Sequence, residues 1–135
     1  HIDTLARLCP ADTIVYVQCE DEKDEHYKSL HAMEEQLKTF RTLAGESYRL
    51  LALPMADEVQ EEGERLPATY ANFLILNDAV LYPTYDQPEK DKRAEEVLQE
   101  AFPGYDIIGI DCRALIRQHG SLHCVTMQYP KNVIK

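Results

Sequence analysis

A strand, strand, helix, strand pattern occurs twice in this 135-residue chain, and that repetition constrains its fold more than any other feature. Residues 13–18 (TIVYVQ) form a β-branched and aromatic run between polar stretches, which reads as a strand. Over 24–44 the period changes: Tyr27, Leu30, Met33, Leu37, Phe40 and Ala44 recur at spacings of three and four, one face of a helix with Gly45 as its stop. Residues 48–53 (YRLLAL) return to a strand that Pro54 ends. The plan then recurs, with strands at 72–76 and 80–82, a helix at 89–102 turning Ala94, Val97, Leu98 and Ala101 inward, and a strand at 105–110 after Pro103-Gly104. Thr13 corresponds to Ala79, 66 positions on, and Tyr48 to Tyr105, 57 positions on. A third unit is expected to open with a strand at Ser121. HIDTLARL, ATYANFLIL and SLHCVTMQ are then equivalent first strands, and an α/β array about an axis would bring their side chains to a common centre. The units are expected at about 1–66, 67–119 and, in part, 120–135.

An apolar share of 44% and a charged share of 28%, without low-complexity tracts, argue for a folded protein. The net charge is −10 and the 14 basic residues are scattered, which argues against nucleic acid as a partner. An acidic field favours a small cationic partner, although solubility alone accounts for such a charge. No apolar run approaches the ~20 residues that span a bilayer, so no membrane partner is expected. The cysteines at 9, 19, 112 and 124 have no C-x-x-C spacing and no histidine placed to complete a zinc site. No metal or cofactor is expected, and reduced thiols suit the cytoplasm. Residues 57–64 (DEVQEEGE) read as a solvated loop, or as a flap over a site that favours positive charge.

The chemistry-bearing residues lie at the two ends: His1 and Asp3 at the start, Cys124 near the close. Taken singly, an H-x-D is as readily a structural polar pair, and a cysteine a small buried hydrophobe. Together they supply a nucleophile, a base and a carboxylate. A thiolate can attack a resonance-stabilised cationic carbon and split a hard hydrolysis into two easier steps. An imidazole can protonate the departing amine and then deprotonate water. A carboxylate can accept two N–H bonds of a planar cation, and if His1 and Asp3 share a strand they share its face.

Four separated motifs, HIDTLAR at 1–7, PATYANFLILN at 67–77, AVLYPTYDQPEKDKRAEEVLQEAFPGYDIIGIDCR at 79–113 and GSLHCVTMQYP at 120–130, resemble the agmatine deiminase and bacterial peptidylarginine deiminase family. These are guanidino-group-modifying penteins, so the resemblance implies a portion of an α/β propeller. It implies hydrolytic deimination, foremost agmatine to N-carbamoylputrescine plus ammonia in putrescine formation, with peptidyl or free arginine as the alternative substrate. It implies Cys124 as nucleophile, His1 as acid/base and Asp3 as guanidinium clamp. Family members are longer, and their second clamp carboxylate would precede His1. The chain is therefore expected to be the C-terminal part of one deiminase domain, inactive by itself and prone to self-association. A non-catalytic α/β module is the rival from another class. A papain-like protease is disfavoured, because Cys124 stands in strand-like text instead of at a helix start.

Asn72, Gly120 and Ser121 are candidate substrate-binding residues, Asn72 with a supporting hydrogen-bond role as its alternative and Tyr70 beside it. Where the family shows a glycine run and then Asn, this chain has Gln118, His119, Gly120 and Ser121, so Gly120 can still admit substrate to the backbone. His123 would face away from Cys124 on a strand. Arg7 is expected to pair with a buried carboxylate, and Asp111 to cap a short helix through Arg117. Cys9, Cys19 and Cys112 are read as packing residues, and His26 and His31 as surface groups.

Overall fold

Both faces of the Thr13–Gln18 strand are covered, which explains why its sequence is apolar throughout instead of alternating. Ile14 and Tyr16 point to one side, where they pack with Leu37, Leu50 and Ala52. Val15 and Val17 point to the other, into a core that includes Leu53, Phe73, Val80, Leu98 and Phe102. The computed structural model describes residues 2–127 and Tyr129, the side chain of Asp3 excepted. Its elements are β1 (Ala6–Cys9), β2 (Thr13–Gln18), α1 (Tyr27–Leu37), β3 (Arg49–Pro54), β4 (Val59–Glu61), β5 (Glu64–Leu66), β6 (Leu74–Ile75), β7 (Ala79–Thr84), α2 (Pro88–Ala101) and β8 (Asp106–Asp111). Short 3-10 turns occupy Ile2–Thr4, Leu115–Gln118 and His123–Val125.

The same topology occurs twice in this mixed α/β fold. In one sheet β1 pairs antiparallel with β2, and β2 pairs parallel with β3 across the helix crossover. In the other, β6 pairs antiparallel with β7, and β7 parallel with β8. The registers also coincide, since Thr13 stands opposite Arg49 and its counterpart Ala79 stands opposite Asp106. The helix α2 packs on β7 and β8 of its own sheet and on β2 and β3 of the preceding one. Small residues permit this double contact: Ala94 is fully buried and Ala101 nearly so, with Leu98 between them. Phe73, Phe102 and Tyr105 close the core with edge-to-face contacts at 5.3–5.7 Å between ring centroids.

Several elements depart from the sequence reading. The first helix ends at Leu37 rather than Ala44, because Thr39 Oγ1 donates to the Gln36 carbonyl at 2.7 Å and the Arg41 guanidinium to the Lys38 carbonyl at 2.9 Å. Gly45 (φ +81°) serves the following turn, where its N–H reaches the Thr42 carbonyl, and Leu43 is left fully exposed. Residues 57–64 are not an irregular loop. Val59–Glu61 and Glu64–Leu66 form a hairpin whose two-residue turn, Glu62 (φ +53°) and Gly63 (φ +80°), has the left-handed conformation that tight hairpins demand. Asp111 accepts the N–H and side chain of Arg113 within its own turn, and does not cap the Leu115–Gln118 turn.

The expected strand at Ser121 is absent, and residues 123–125 form a 3-10 turn. Successive N–H groups alternate sides along a strand, whereas those of His123 and Cys124 both bond to Asn72. Ile2–Thr4 form a 3-10 turn as well, with the Leu5 N–H donating to the Ile2 carbonyl at 2.8 Å, where a strand was expected. His1 lies outside the described residues.

The β4–β5 hairpin is held to the start of α1 by Arg65, which donates to Asp24 and Glu25 at 3.1–3.3 Å. The His26 backbone N–H first, then Arg65 acting against partial burial, holds the Asp24 carboxyl below the usual carboxylate range. A carboxyl depressed on folding stabilises the protein above its unfolded value, and that contribution disappears as pH falls through the folded one. Asp24→Asn is therefore expected to lower stability at pH 7 by roughly 1 kcal/mol. The difference should begin to shrink as pH falls to about 4 and vanish below the depressed folded value. Urea midpoints measured at both pH values check the sign.

Candidate functional site

Three stretches remote in sequence meet at one place: residues 4–7, 69–73 and 120–124. Arg7 begins the assembly. Its guanidinium donates from Nη1 to the carbonyls of Ala71 at 3.1 Å and Phe73 at 2.5 Å. It also lies 4.4 Å over the Phe73 ring, a cation–π contact that shares the work of holding β1 against residues 71–73.

Asn72, between those two carbonyls, is fully buried. Its side-chain Oδ1 accepts the N–H of Cys124 and its main-chain carbonyl accepts the N–H of His123, each at 3.2 Å. One residue thereby fixes the turn on which Cys124 stands, and the Cys124 side chain is exposed. Gly120 lies against it. A Cβ added at Gly120 would stand 2.9 Å from Cys124 Cβ, closer than packed atoms tolerate, and 3.5 Å from Sγ. Gly120 thus lets the backbone approach Cys124.

Ser121 is 1% exposed and turns its hydroxyl inward, to the Tyr85 hydroxyl at 2.7 Å. Tyr85 also accepts the Thr69 N–H at 3.0 Å and donates to the Thr69 carbonyl at 2.8 Å. The Thr69 hydroxyl in turn donates to the Thr4 carbonyl at 2.6 Å. Burial pushes the Tyr85 phenol and the Cys112 thiol upward, so both stay neutral. Tyr85 and Thr69 escaped sequence reasoning because their partners are 16 to 65 residues away and no local spacing marks them. Tyr70 donates to Asp91 at 2.6 Å, and that carboxylate also accepts the N–H groups of Tyr85 and Gln87 at the start of α2. Tyr70 is therefore spent on anchoring α2.

Of the other candidates, Cys19 and Cys112 are buried and Cys9 partly so, its thiol pushed up to about 11 by burial. His26 and His31 are exposed on or beside α1. Among the described residues, His31, Glu34 and Glu35 are the one group with metal-ligand spacing, on the α1 surface. Glu34 already accepts Tyr16 and Gln18 at 2.8 Å, and nothing joins the group to Cys124. A cavity of about 490 Å³ opens beside the cluster, walled by Thr4, Leu5, Thr69, Arg65 and His119 among others. The acidic hairpin borders it, with Glu64 4.0 Å from His119 and Glu61 3.3 Å from Arg117.

Residues 1–130 match the model of the Porphyromonas-type peptidyl-arginine deiminase family. A Porphyromonas gingivalis structure assigned as an arginine deiminase superposes with a TM-score of 0.93 at 60% identity, over 97% of this chain and 38% of that one. The agmatine deiminase of C. jejuni does so with a TM-score of 0.83 at 45% identity, over 92% of this chain and 37% of that one. That of Enterococcus faecalis, at 26% identity, reaches a TM-score of 0.90 over 98% and 41% of the two chains. A Marinomonas protein assigned as an agmatine deiminase is 31% identical over 148 residues, covering 97% of this chain and 40% of the relative. The chain spans about two fifths of the length of the curated relatives it matches.

Removing the buried Asn72 amide leaves the Cys124 N–H without its acceptor. Asn72→Ala should cost about 1–3 kcal/mol in chemical unfolding. It should also speed hydrogen exchange across residues 120–126, and exchange unchanged there would contradict the assigned bond.

Proposed function

Because the chain belongs to the Porphyromonas-type peptidyl-arginine deiminase family, we propose that a protein containing it hydrolyses a guanidinium group, with agmatine to N-carbamoylputrescine plus ammonia as the leading reaction. The observation that carries this reading is the meeting of residues 4–7, 69–73 and 120–124, with the Cys124 turn fixed by Asn72 and the Asp3-bearing turn tied to Thr69. The exposed thiol of Cys124 next to an open backbone at Gly120 supports a nucleophile at this point.

In this proposal the Asp3 carboxylate accepts two guanidinium N–H groups and fixes the planar cation. The Cys124 thiolate attacks the guanidinium carbon, forming a C–S bond. His1, as imidazolium, gives its proton to the departing nitrogen as the C–N bond breaks, and ammonia leaves a thiouronium intermediate. The imidazole then takes a proton from water, whose oxygen attacks the same carbon. The C–S bond breaks as the hydroxyl proton of the adduct passes to solvent, the thiolate returns, and a neutral ureido product departs. Gly120 lines the approach to the sulfur, while Asn72 and the inward-facing Ser121 serve the site from beneath. The acidic rim of the β4–β5 hairpin favours a positively charged substrate.

Peptidyl or free arginine is the second reading. It is favoured by the description of the family model and by the P. gingivalis neighbour, whose identity exceeds that of the C. jejuni agmatine deiminase. The repeated topology supports a portion of a pentein propeller, with units at about 1–66, 67–119 and 120–135 inside one deiminase domain. The four free cysteines suit the cytoplasm, and exposed Leu8 and Met127 suit self-association. Among the described residues no helix is long and apolar enough to cross a membrane.

Ammonia release by a full-length protein carrying this chain, assayed with agmatine, arginine and an arginyl peptide, tests the proposal. Cys124→Ala should abolish turnover, by roughly 10³-fold or more. His1→Ala should lower it by about 10²- to 10⁴-fold. Turnover indifferent to both substitutions would overturn the assignment.

A further inference from the structure

We propose that Tyr85 and Ser121 form a buried clasp that holds the Asp3-bearing turn in register with Cys124, which makes Tyr85 a positioning residue for the deimination. The inference rests on the function proposed above and adds a part to that site.

The hydrogen bonds run without a break from one turn to the other. Thr4, adjoining Asp3, is tied through its carbonyl to the Thr69 hydroxyl at 2.6 Å. The Thr69 backbone is tied through both its N–H and its carbonyl to the Tyr85 hydroxyl at 3.0 and 2.8 Å. Tyr85 is tied to Ser121, three residues before Cys124, at 2.7 Å. A phenol has one proton and two useful lone pairs. With its proton on the Thr69 carbonyl, Tyr85 must accept from both the Thr69 N–H and the Ser121 hydroxyl. The Thr69 carbonyl and N–H thereby fix the direction of the Tyr85–Ser121 bond, with Ser121 as its donor.

Packing does not require this oxygen. The Tyr85 ring is 3% exposed and meets Tyr70 edge to face at 5.5 Å, contacts that a phenylalanine ring would keep. What the hydroxyl adds is the bridge between segments separated by 36 residues on one side and 16 on the other. Its value to the reaction is geometric. Asp3 holds the cation and Cys124 attacks it, so the two turns must keep the reacting atoms within roughly 3–3.5 Å, and a displacement near 1 Å costs about 10²-fold in rate.

The test compares Tyr85→Phe and Ser121→Ala with wild type in the full-length protein. For each variant kcat should fall roughly 10- to 100-fold while KM stays within about twofold, and the melting temperature should hold to within a few degrees. The double variant should be no worse than the poorer single one, because both changes cut one bond. Alkylation of Cys124 separates positioning from general damage. A haloacetamidine carries an amidinium for Asp3 and a carbon that the sulfur attacks with loss of halide, whereas iodoacetamide is neutral and needs no clamp. In the variants the haloacetamidine rate should fall by about tenfold relative to the iodoacetamide rate. Wild-type kcat, or equal loss toward both reagents, would overturn the clasp. A wild-type protein with no preference for the amidinium would instead sink the underlying function, and the clasp with it.

Discussion

The bond between the Asn72 amide and the Cys124 N–H is the constraint on which the rest of this structure depends. A buried amide oxygen without a donor costs about 1–3 kcal/mol, so the fold is driven to bring a donor to it. The donor comes from 52 residues away. The Asn72 main-chain carbonyl takes the neighbouring N–H of His123, and capturing two successive N–H groups bends the chain into a turn where it would otherwise run on as a strand. That bend exposes the sulfur and brings Gly120 against it.

Asn72 can hold this position because its own neighbours are fixed. The Arg7 guanidinium grips the carbonyls on either side of it, and Phe73 seals the core beneath. Further out, α2 packs on both sheets at once, so the register of β2 with β3 and that of β7 with β8 are referred to a common helix. Lys90 on that helix bonds the Met55 carbonyl at 2.9 Å and the Asp57 carboxylate, and the Arg49–Glu100 pair adds a second surface tie. The site is therefore set by burial and by bonds to the main chain, and the exposed ion pairs contribute little to it.

Much of the fold was legible in the sequence, for identifiable reasons. The β2 run and the inward stripe of α2 read correctly because burial on both faces, or on one helical face, leaves a periodic record. What could not be read depended on partners that sequence does not pair. The apolar spacing of α1 continues past Leu37 through Phe40, yet Thr39 and Arg41 cap the helix with their side chains. The text from Ser121 onward is strand-like, yet residues 123–125 form a 3-10 turn bonded to Asn72. The carbonyls that Arg7 bonds lie 64 and 66 residues away, and the Tyr85 hydroxyl that meets Ser121 lies 36 away. Side chains acting on distant backbone leave no periodicity.

The most direct test of the central claim is the structure of a full-length protein carrying this chain, with Cys124 replaced by alanine and a guanidino compound bound. The account predicts that Asp3 grips the cation through two hydrogen bonds, with the guanidinium carbon roughly 3–3.5 Å from the place the sulfur would take. A cation bound elsewhere, or Asp3 and residue 124 opening onto different surfaces, would contradict it.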